Sequence, residues 1–146
     1  MNIVPRKQVP EDILKDSVLA HIAAAYFSVG KRLERKTQCS ATRGFILSTL
    51  RDGETPNQNQ IATLLGIDRT VVHRATKSLV QEGLVSEHKP KSGRAIQLQL
   101  TTKGKKYRER LIKARVAADE SVRRQMTSQE WETLLNLLKL VAECEF

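Results

Sequence analysis

The stretch from residue 57 to residue 83 limits the possible folds most, because it holds two helical patterns separated by one sharp turn. Asn57 followed three residues later by Gln60 has the pattern of a helix capping box. Gly66 predicts the end of the first helix, since glycine adopts the left-handed conformation that a tight exit needs. Asp68 can then accept hydrogen bonds from the free amides that open a second helix. The spacing therefore predicts a helix-turn-helix.

The two predicted helices differ in the chemistry of their faces at about 100° per residue. The first has an apolar stripe of Ile61, Leu64 and Leu65. The second has an inner face of Val72, Ala75 and Leu79 and an outer face of Thr70, His73, Arg74 and Lys77. The outer face combines groups that can contact base edges and phosphates in a major groove. The alternative for a polar helix face taken alone is a solvated surface.

Basic side chains are concentrated on the same part of the chain. The formal net charge is +9, and residues 57 to 106 carry nine Lys or Arg against three Asp or Glu. Residues 107 to 146 carry seven of each and are balanced. This excess favours a polyanionic partner, because counterion release from a nucleic acid drives binding to cations.

A strand pattern follows Gly83. Residues 84 to 88 predict a short strand. A second strand is predicted over residues 95 to 100, where apolar residues alternate with others. Its inward residues are Ile96, Leu98 and Leu100. The intervening KPKSGR predicts a hairpin tip with three cations, Lys89, Lys91 and Arg94. Directly after a helix-turn-helix, such a hairpin is typical of a wing that reaches the minor groove or flanking phosphates, the alternative being a solvated turn.

Long helices are predicted on both sides of this region. One begins near Pro10, and a shorter one covers residues 40 to 51. Two more begin at Thr101 or Thr102 and at Thr127. The inward residues of the shorter helix are predicted to be Phe45, Ile46, Leu47 and Leu50. The outer helices are apolar over a wider surface than one chain of 146 residues covers, so we expect a second subunit to pack against them.

The residues together resemble a known family. QIATLLGIDRTVVHRATKSLVQEGLVSE, a basic hairpin and RAIQLQLTTKGKKY are similar to the MarR/SlyA family of bacterial winged helix-turn-helix regulators. Matching features extend over residues 13 to 142, with the specific part at 57 to 104. The family's usual wing has Asp-x-Arg, whereas Ser92-Gly93-Arg94 stands here, so the carboxylate beside the wing arginine is absent.

The resemblance implies a fold class and a domain plan. The fold class is mainly α with a small β-hairpin wing (α+β), a winged helix-turn-helix with dimerisation helices at both ends. Residues 1–38 would form an N-terminal arm and dimerisation helix, 40–104 the DNA-binding domain, and 105–146 the C-terminal dimerisation helices.

The resemblance also implies a function. We expect a homodimer that binds double-stranded DNA at a pseudo-palindromic operator and represses transcription, with relief by a small-molecule effector. The expected DNA contacts are Arg69, Thr70, His73, Arg74, Lys77, Lys89, Lys91 and Arg94. The alternative is a winged helix that binds chromosomes or proteins with low specificity.

Other classes of function find little support. The three histidines have no partners at metal-ligand or triad spacing, and no phosphate-binding glycine-rich loop occurs, so no enzymatic activity, cofactor or metal is expected. No signal peptide or membrane span is indicated, which favours the cytoplasm and association with the nucleoid. Cys39 and Cys144 form no disulfide framework, and a role in oxidant sensing is the alternative to inert thiols.

A ligand pocket is a further hypothesis. His21, Tyr26 and Phe45 are the predicted lining, between the dimerisation helices and the DNA-binding lobe. The alternative is that all three are ordinary helix-packing residues.

Overall fold

The computed structural model describes residues 15–91, 93 and 95–145, which form six helices and a two-stranded antiparallel sheet. The helices are α1 (Val18–Thr37), α2 (Ala41–Thr49), α3 (Gln58–Leu65), α4 (Arg69–Gln81), α5 (Thr102–Arg123) and α6 (Ser128–Ala142). The strands are β1 (Val85–His88) and β2 (Gln97–Leu100). The predicted fold class, mainly helical with one β-hairpin, is confirmed.

A single hydrophobic core lies in the middle third of the chain. Its buried residues come from α2, α3, α4 and the hairpin, and they are Ile46, Leu47, Leu50, Ile61, Val72, Leu79, Leu84, Val85, Leu98 and Leu100. Val72 is fully buried, as expected for the side chain that fills the angle between α3 and α4. This part of the molecule is compact because five short elements share these side chains.

The hairpin packs its inner face on this core. Val85 pairs with Leu100 and His88 with Gln97 in the antiparallel register. The predicted inward positions Leu98 and Leu100 are buried, but Ile96 is 42% exposed, so that part of the prediction is wrong. The reason is that β2 begins only at Gln97, and the alternation of faces holds only where the strand is paired.

The terminal helices have little cover of their own. α1 and α6 contain no buried residue, and the buried residue of α5 is Gly104. Five residues of α5 at helical spacing are half-buried, and they are Tyr107, Leu111, Ala114, Ala118 and Val122. On α6, Trp131, Leu134 and Val141 are half-buried, whereas Leu135 and Leu138 are about 40% exposed. The apolar surface of these helices exceeds what this chain covers.

The first helix begins later than its sequence indicates. α1 starts at Val18, with the Ser17 hydroxyl accepting a hydrogen bond from the Ala20 amide at 3.2 Å. A start near Pro10 is therefore wrong for this helix, and Pro10 itself lies outside the described residues. The Ser17 cap satisfies one of the free amides of the first turn and so fixes where the helix begins.

Two apolar side chains predicted to face inward lie at the surface instead. Phe45 is 40% exposed and Leu64 is 71% exposed. Phe45 lies on the side of α2 opposite Ile46 and Leu47, and the Arg115 guanidinium stacks on its ring at 5.0 Å from the centroid. Both residues were predicted to face inward because they are apolar, but the core contacts only one face of each helix.

Candidate nucleic-acid interface

Local hydrogen bonds fix the helix-turn-helix. The Asn57 side chain accepts from the Gln60 amide at 3.0 Å, and the Gln60 side chain accepts from the Asn57 amide at 2.9 Å, which confirms the capping box. Gly66 ends α3 with φ 62°, and its conformation is the left-handed one predicted. Asp68 then caps α4 by accepting from the Thr70 amide at 2.7 Å. The start and end of each helix are therefore set by short-range contacts.

The cap of α4 is a charged one. Hydrogen bonding with Thr70, through its hydroxyl first and its backbone amide second, lowers the pKa of the Asp68 carboxyl. A carboxylate at this end is also favoured by the positive end of the helix dipole. The first turn of α4 is thus anchored where it faces solvent.

The outer face of α4 presents the side chains that were expected there. Its inner residues Val72, Thr76 and Leu79 are fully buried. The outer residues are exposed, and they are Arg69, Thr70, His73, Arg74 and Lys77. The exposed face of α4 therefore forms a ridge that carries three cations, a hydroxyl and an imidazole, and the buried face of the same helix lies beneath it. Such a mixture of groups can contact both phosphates and base edges.

A cleft of about 540 Å³ separates this ridge from the wing. One wall is α4, the second is the polar start of α3 and the third is the base of the hairpin. The lining residues are Asn57, Gln58, Asn59, Arg69, His73, Lys77, Glu87, Ala95 and Ile96. The sequence prediction missed the contributions of α3 and Glu87. The run of amides NQNQ at 57–60 was the available signal, because Asn and Gln pair well with adenine edges.

One contact crosses the cleft from α3 to α4. The Nδ1 atom of His73 lies 3.1 Å from the Oε1 atom of Gln58. His73 is exposed and Gln58 is half-buried. The imidazole is therefore held by a neighbouring helix and is not free to rotate as an isolated surface side chain would be.

The wing carries its cations at the surface. Lys89 and Lys91 are exposed in the hairpin connection, beyond the end of β1. Arg94, the third predicted wing contact, lies outside the described residues, as does Ser92. The described part of the wing therefore carries two exposed cations.

The three residues of the predicted ligand pocket lie at three different places in the chain. His21 lines a cleft of about 300 Å³ between the start of α1 and α6, with neighbours that include Leu134 and Val141. Tyr26 is half exposed on α1 and packs edge-on against Phe27. Phe45 lies on α2 beneath Arg115.

The cysteines lie in contrasting environments. Cys39 is buried where α1 meets α2, and this burial raises the pKa of its thiol, an effect opposed in part by the Arg43 guanidinium. Cys144 is exposed. A raised pKa lowers the thiolate fraction, so the surroundings of Cys39 do not favour reactivity.

The described residues hold neither a metal-binding cluster nor a membrane-spanning helix. Across 15–91, 93 and 95–145, no three His, Cys, Asp or Glu side chains lie close enough to hold a metal ion. None of the helices in the same ranges combines the length and apolar character needed to cross a bilayer.

The arrangement of α2, α3, α4 and the hairpin defines a winged helix-turn-helix protein. Residues 39–96 match the model of the MarR family. This match overlaps the part of the chain where the sequence resembles the MarR/SlyA family most specifically, and the resemblance is confirmed there. No curated protein matches the chain in sequence.

Solved structures of similar fold include three regulators. The transcriptional repressor CouR bound to a 23-mer DNA duplex has 22% identity and a TM-score of 0.81, over 93% of this chain and 99% of that one. PcaV from Streptomyces coelicolor, in complex with its natural ligand, has 18% identity and a TM-score of 0.79, over 99% of both chains. A mutant MarR from E. coli complexed with operator DNA has 20% identity and a TM-score of 0.76, over 89% and 98%. At these identities the likeness establishes the fold.

Proposed function

We propose that this protein is a sequence-specific, double-stranded-DNA-binding transcriptional repressor that acts as a homodimer. The observation that carries the proposal is the exposed face of α4, where Arg69, Arg74 and Lys77 stand above a fully buried apolar wedge. A helix held in this way can enter a major groove without unfolding its own core.

Within this proposal α4 supplies the base contacts. Thr70, His73, Arg74 and Lys77 meet base edges, and Arg69 meets the backbone at the start of the helix. The wing residues Lys89, Lys91 and Arg94 contact flanking phosphates or the adjacent minor groove. The solved complexes of CouR and of the mutant MarR with DNA support this arrangement by analogy of fold.

The homodimer is proposed from the uncovered terminal helices. Phe27 on α1 and Leu140 on α6 are each 62% exposed, and Val116 on α5 is 54% exposed. Large apolar side chains at such exposure on three helices form a surface that a second copy would bury. We assign residues 1–38 and 105–146 to this interface and residues 40–104 to DNA binding.

The two-fold axis of such a dimer determines the form of the operator. Two copies of α4 would enter successive major grooves on one side of the duplex, so the half-site centres would lie about 34 Å apart. The operator would therefore be a pseudo-palindrome. Binding there would exclude other proteins from a promoter, which is how repression would follow.

Control by a small molecule is the remaining part of the proposal. PcaV was solved with its natural ligand, which supports a ligand-responsive version of this fold. His21, Tyr26 and Phe45 remain the proposed contacts, and of these His21 lines a described cleft. Because its partner is chromosomal DNA, the protein would work in the cytoplasm at the nucleoid, with no catalytic activity.

Selection of bound sites from random duplex DNA tests the proposal. The expected result is an inverted repeat with half-site centres about one helical turn apart. The repeat should bind at least about a thousandfold more tightly than a scrambled duplex at physiological salt. Equal affinity for both duplexes would instead identify a low-specificity DNA-binding protein. A reporter placed behind the selected site should lose transcription when the protein is expressed, and increased transcription would identify an activator.

A further inference from the structure

We propose that Gln58 is a positioning residue that fixes His73 as a hydrogen-bond acceptor for an exocyclic amino group of adenine or cytosine. The inference rests on the proposed function, because it names the base class that one position of the DNA-contacting ridge selects. It is carried by the contact between the two side chains and by the cleft around them.

The atoms in contact decide which ring nitrogen holds the proton. The Oε1 atom of Gln58 is an amide oxygen, which can only accept a hydrogen bond. The Nδ1 atom of His73, 3.1 Å away, is therefore the donor. In a neutral imidazole the other nitrogen, Nε2, is then an acceptor. Nε2 makes no hydrogen bond with any residue that the structure describes, so its lone pair is available to a ligand.

Gln58 is well placed to hold the ring because its own backbone is fixed. It is the first residue of α3, next to Asn57, whose side chain and amide are both engaged with Gln60 in the capping box. The amides of Asn57 and Gln60 are thus committed to the helix start, and the Gln58 amide is directed at α4. Two rigid helices therefore set the imidazole orientation.

The two cationic groups of the cleft have different chemistry. Arg69 and Lys77 beside His73 carry only donors, which suit phosphates and the acceptor edge of guanine. An acceptor in the same groove suits a base that presents a donor. In the major groove only adenine, through its N6 amino group, and cytosine, through its N4 amino group, do so. His73 would therefore select A or C where its cationic neighbours select G or contact the backbone.

The experiment compares bound-site selection by the wild type with two variants, Gln58→Leu and His73→Leu, which remove the contact from either side. Gln81→Leu is the matched control, since Gln81 is exposed at the end of α4, lies outside the cleft and makes no side-chain hydrogen bond among the described residues. Thermal unfolding of each variant, followed by circular dichroism, checks that all three variants are folded.

The wild type and Gln81→Leu should select A or C at one position of each half-site. Gln58→Leu and His73→Leu should lose that preference by about tenfold at this position alone. Replacing the selected base with purine or pyrimidin-2-one, which lack the amino group, should weaken the wild type by a similar factor and leave Gln58→Leu unchanged.

A measurement without DNA gives an independent result. Nitrogen-15 NMR of His73 should show the proton on Nδ1 in the wild type and a shift toward Nε2 in Gln58→Leu. The inference is overturned if Gln58→Leu keeps both the tautomer and the base preference, or if G or T is preferred where His73→Leu acts. A wild type that selects no sequence overturns the proposed function itself, a result distinct from a selected repeat that is indifferent to Gln58.

Discussion

Arg43 of α2 and Glu82 at the end of α4 form an ion pair, with Nη2 and Oε2 at 2.6 Å. The other carboxylate oxygen of Glu82 accepts from the Ser78 hydroxyl at 3.1 Å, and its backbone oxygen accepts from Lys103 Nζ at 2.7 Å. Arg43 is the more buried partner, with 18% of its side chain exposed against 46% for Glu82. The C-terminal end of α4 is therefore attached to both α2 and α5.

Glu82→Gln should lower the free energy of unfolding by about 0.5 to 1 kcal/mol near pH 7, the range for a largely exposed pair. Hydrogen bonding to Arg43 holds the pKa of this carboxyl below its ordinary value of 4.5. The contribution of the Glu82 carboxylate to the free energy of unfolding is thus complete at a pH above the ordinary pKa. It is lost as the pH falls through the lower pKa of the folded state. Urea unfolding between about pH 7 and pH 3 should show the two proteins converging in acid.

The matched control is Glu132→Gln on α6, because Glu132 forms no ion pair within the described residues. It should leave both the stability and its pH dependence unchanged. A Glu82→Gln difference that stays constant into acid would contradict the role of the carboxylate charge.

Gly104→Ala should destabilise the protein by about 3 kcal/mol, the upper part of the range for overpacking a core. Gly104 is buried near the start of α5, and a Cβ there would overlap the backbone carbonyl oxygen of Leu84, which cannot rotate away. Gly44→Ala is the control, since a Cβ at this buried helical position meets only Arg115 Nη2 at 3.7 Å. It should stabilise by about 0.5 to 1 kcal/mol. Equal effects in thermal unfolding would disprove the close approach of α5 to the hairpin.

Thr76→Val should stabilise the protein by about 1 kcal/mol. Thr76 is fully buried on the inner face of α4, and its hydroxyl has no hydrogen-bond partner among the described residues. Valine keeps the shape and removes the desolvated polar group. Thr37→Val is the contrasting variant, because the Thr37 hydroxyl donates a hydrogen bond to the Leu33 carbonyl at 2.8 Å. Losing this hydrogen bond should destabilise the protein. Denaturant unfolding measures the change in the free energy of unfolding for both variants. A loss of stability in Thr76→Val would mean that the Thr76 hydroxyl has a hydrogen-bond partner.

Features that depend on neighbouring residues were predictable from sequence. The caps at Asn57, Asp68 and Thr127 and the turn at Gly66 each need a chemical group only two or three residues away, so their spacing was sufficient. The two faces of α4 followed from periodicity for the same reason. Local chemistry thus determines which side chains lie on the exposed face of α4.

Features that depend on distant residues were missed. Phe45 and Ile96 were assigned inward because they are apolar, but exposure depends on which face the core meets and where strand pairing begins. The contact between Gln58 and His73 joins two residues that are 15 positions apart and lie on different helices. The periodicity of either helix alone therefore does not predict it. Glu87 likewise joins the cleft only because the hairpin folds back beside α4.

Leu140→Glu should weaken the proposed homodimer by more than about a hundredfold, because burying an unpaired charge in an interface costs about 3 kcal/mol or more. Leu140 is 62% exposed in the single chain and its helix has no buried residue, so the fold of the core should survive. Analytical ultracentrifugation measures the association. Leu64→Glu is the control, as Leu64 is 71% exposed on α3, away from the terminal helices. Unchanged association of Leu140→Glu would remove α6 from the interface.

Arg74→Ala and Lys91→Ala should weaken DNA binding in different ways. Arg74 stands in the middle of the exposed face of α4, where its planar guanidinium can pair with a guanine edge. Its loss should cost about 1 to 3 kcal/mol on the selected site and relax the base preference at one position. Lys91, exposed in the hairpin connection, should serve only as a charge near a phosphate.

Lys91→Ala should therefore weaken all duplexes alike and reduce the slope of log affinity against log salt by about one. Fluorescence anisotropy with the selected and scrambled duplexes, at several salt concentrations, separates the two effects. Because each variant removes one cation, a difference in specificity between them cannot come from net charge. Equal loss of specificity would place Lys91 on a base edge, and unchanged affinity of Arg74→Ala would remove Arg74 from the DNA-contacting residues.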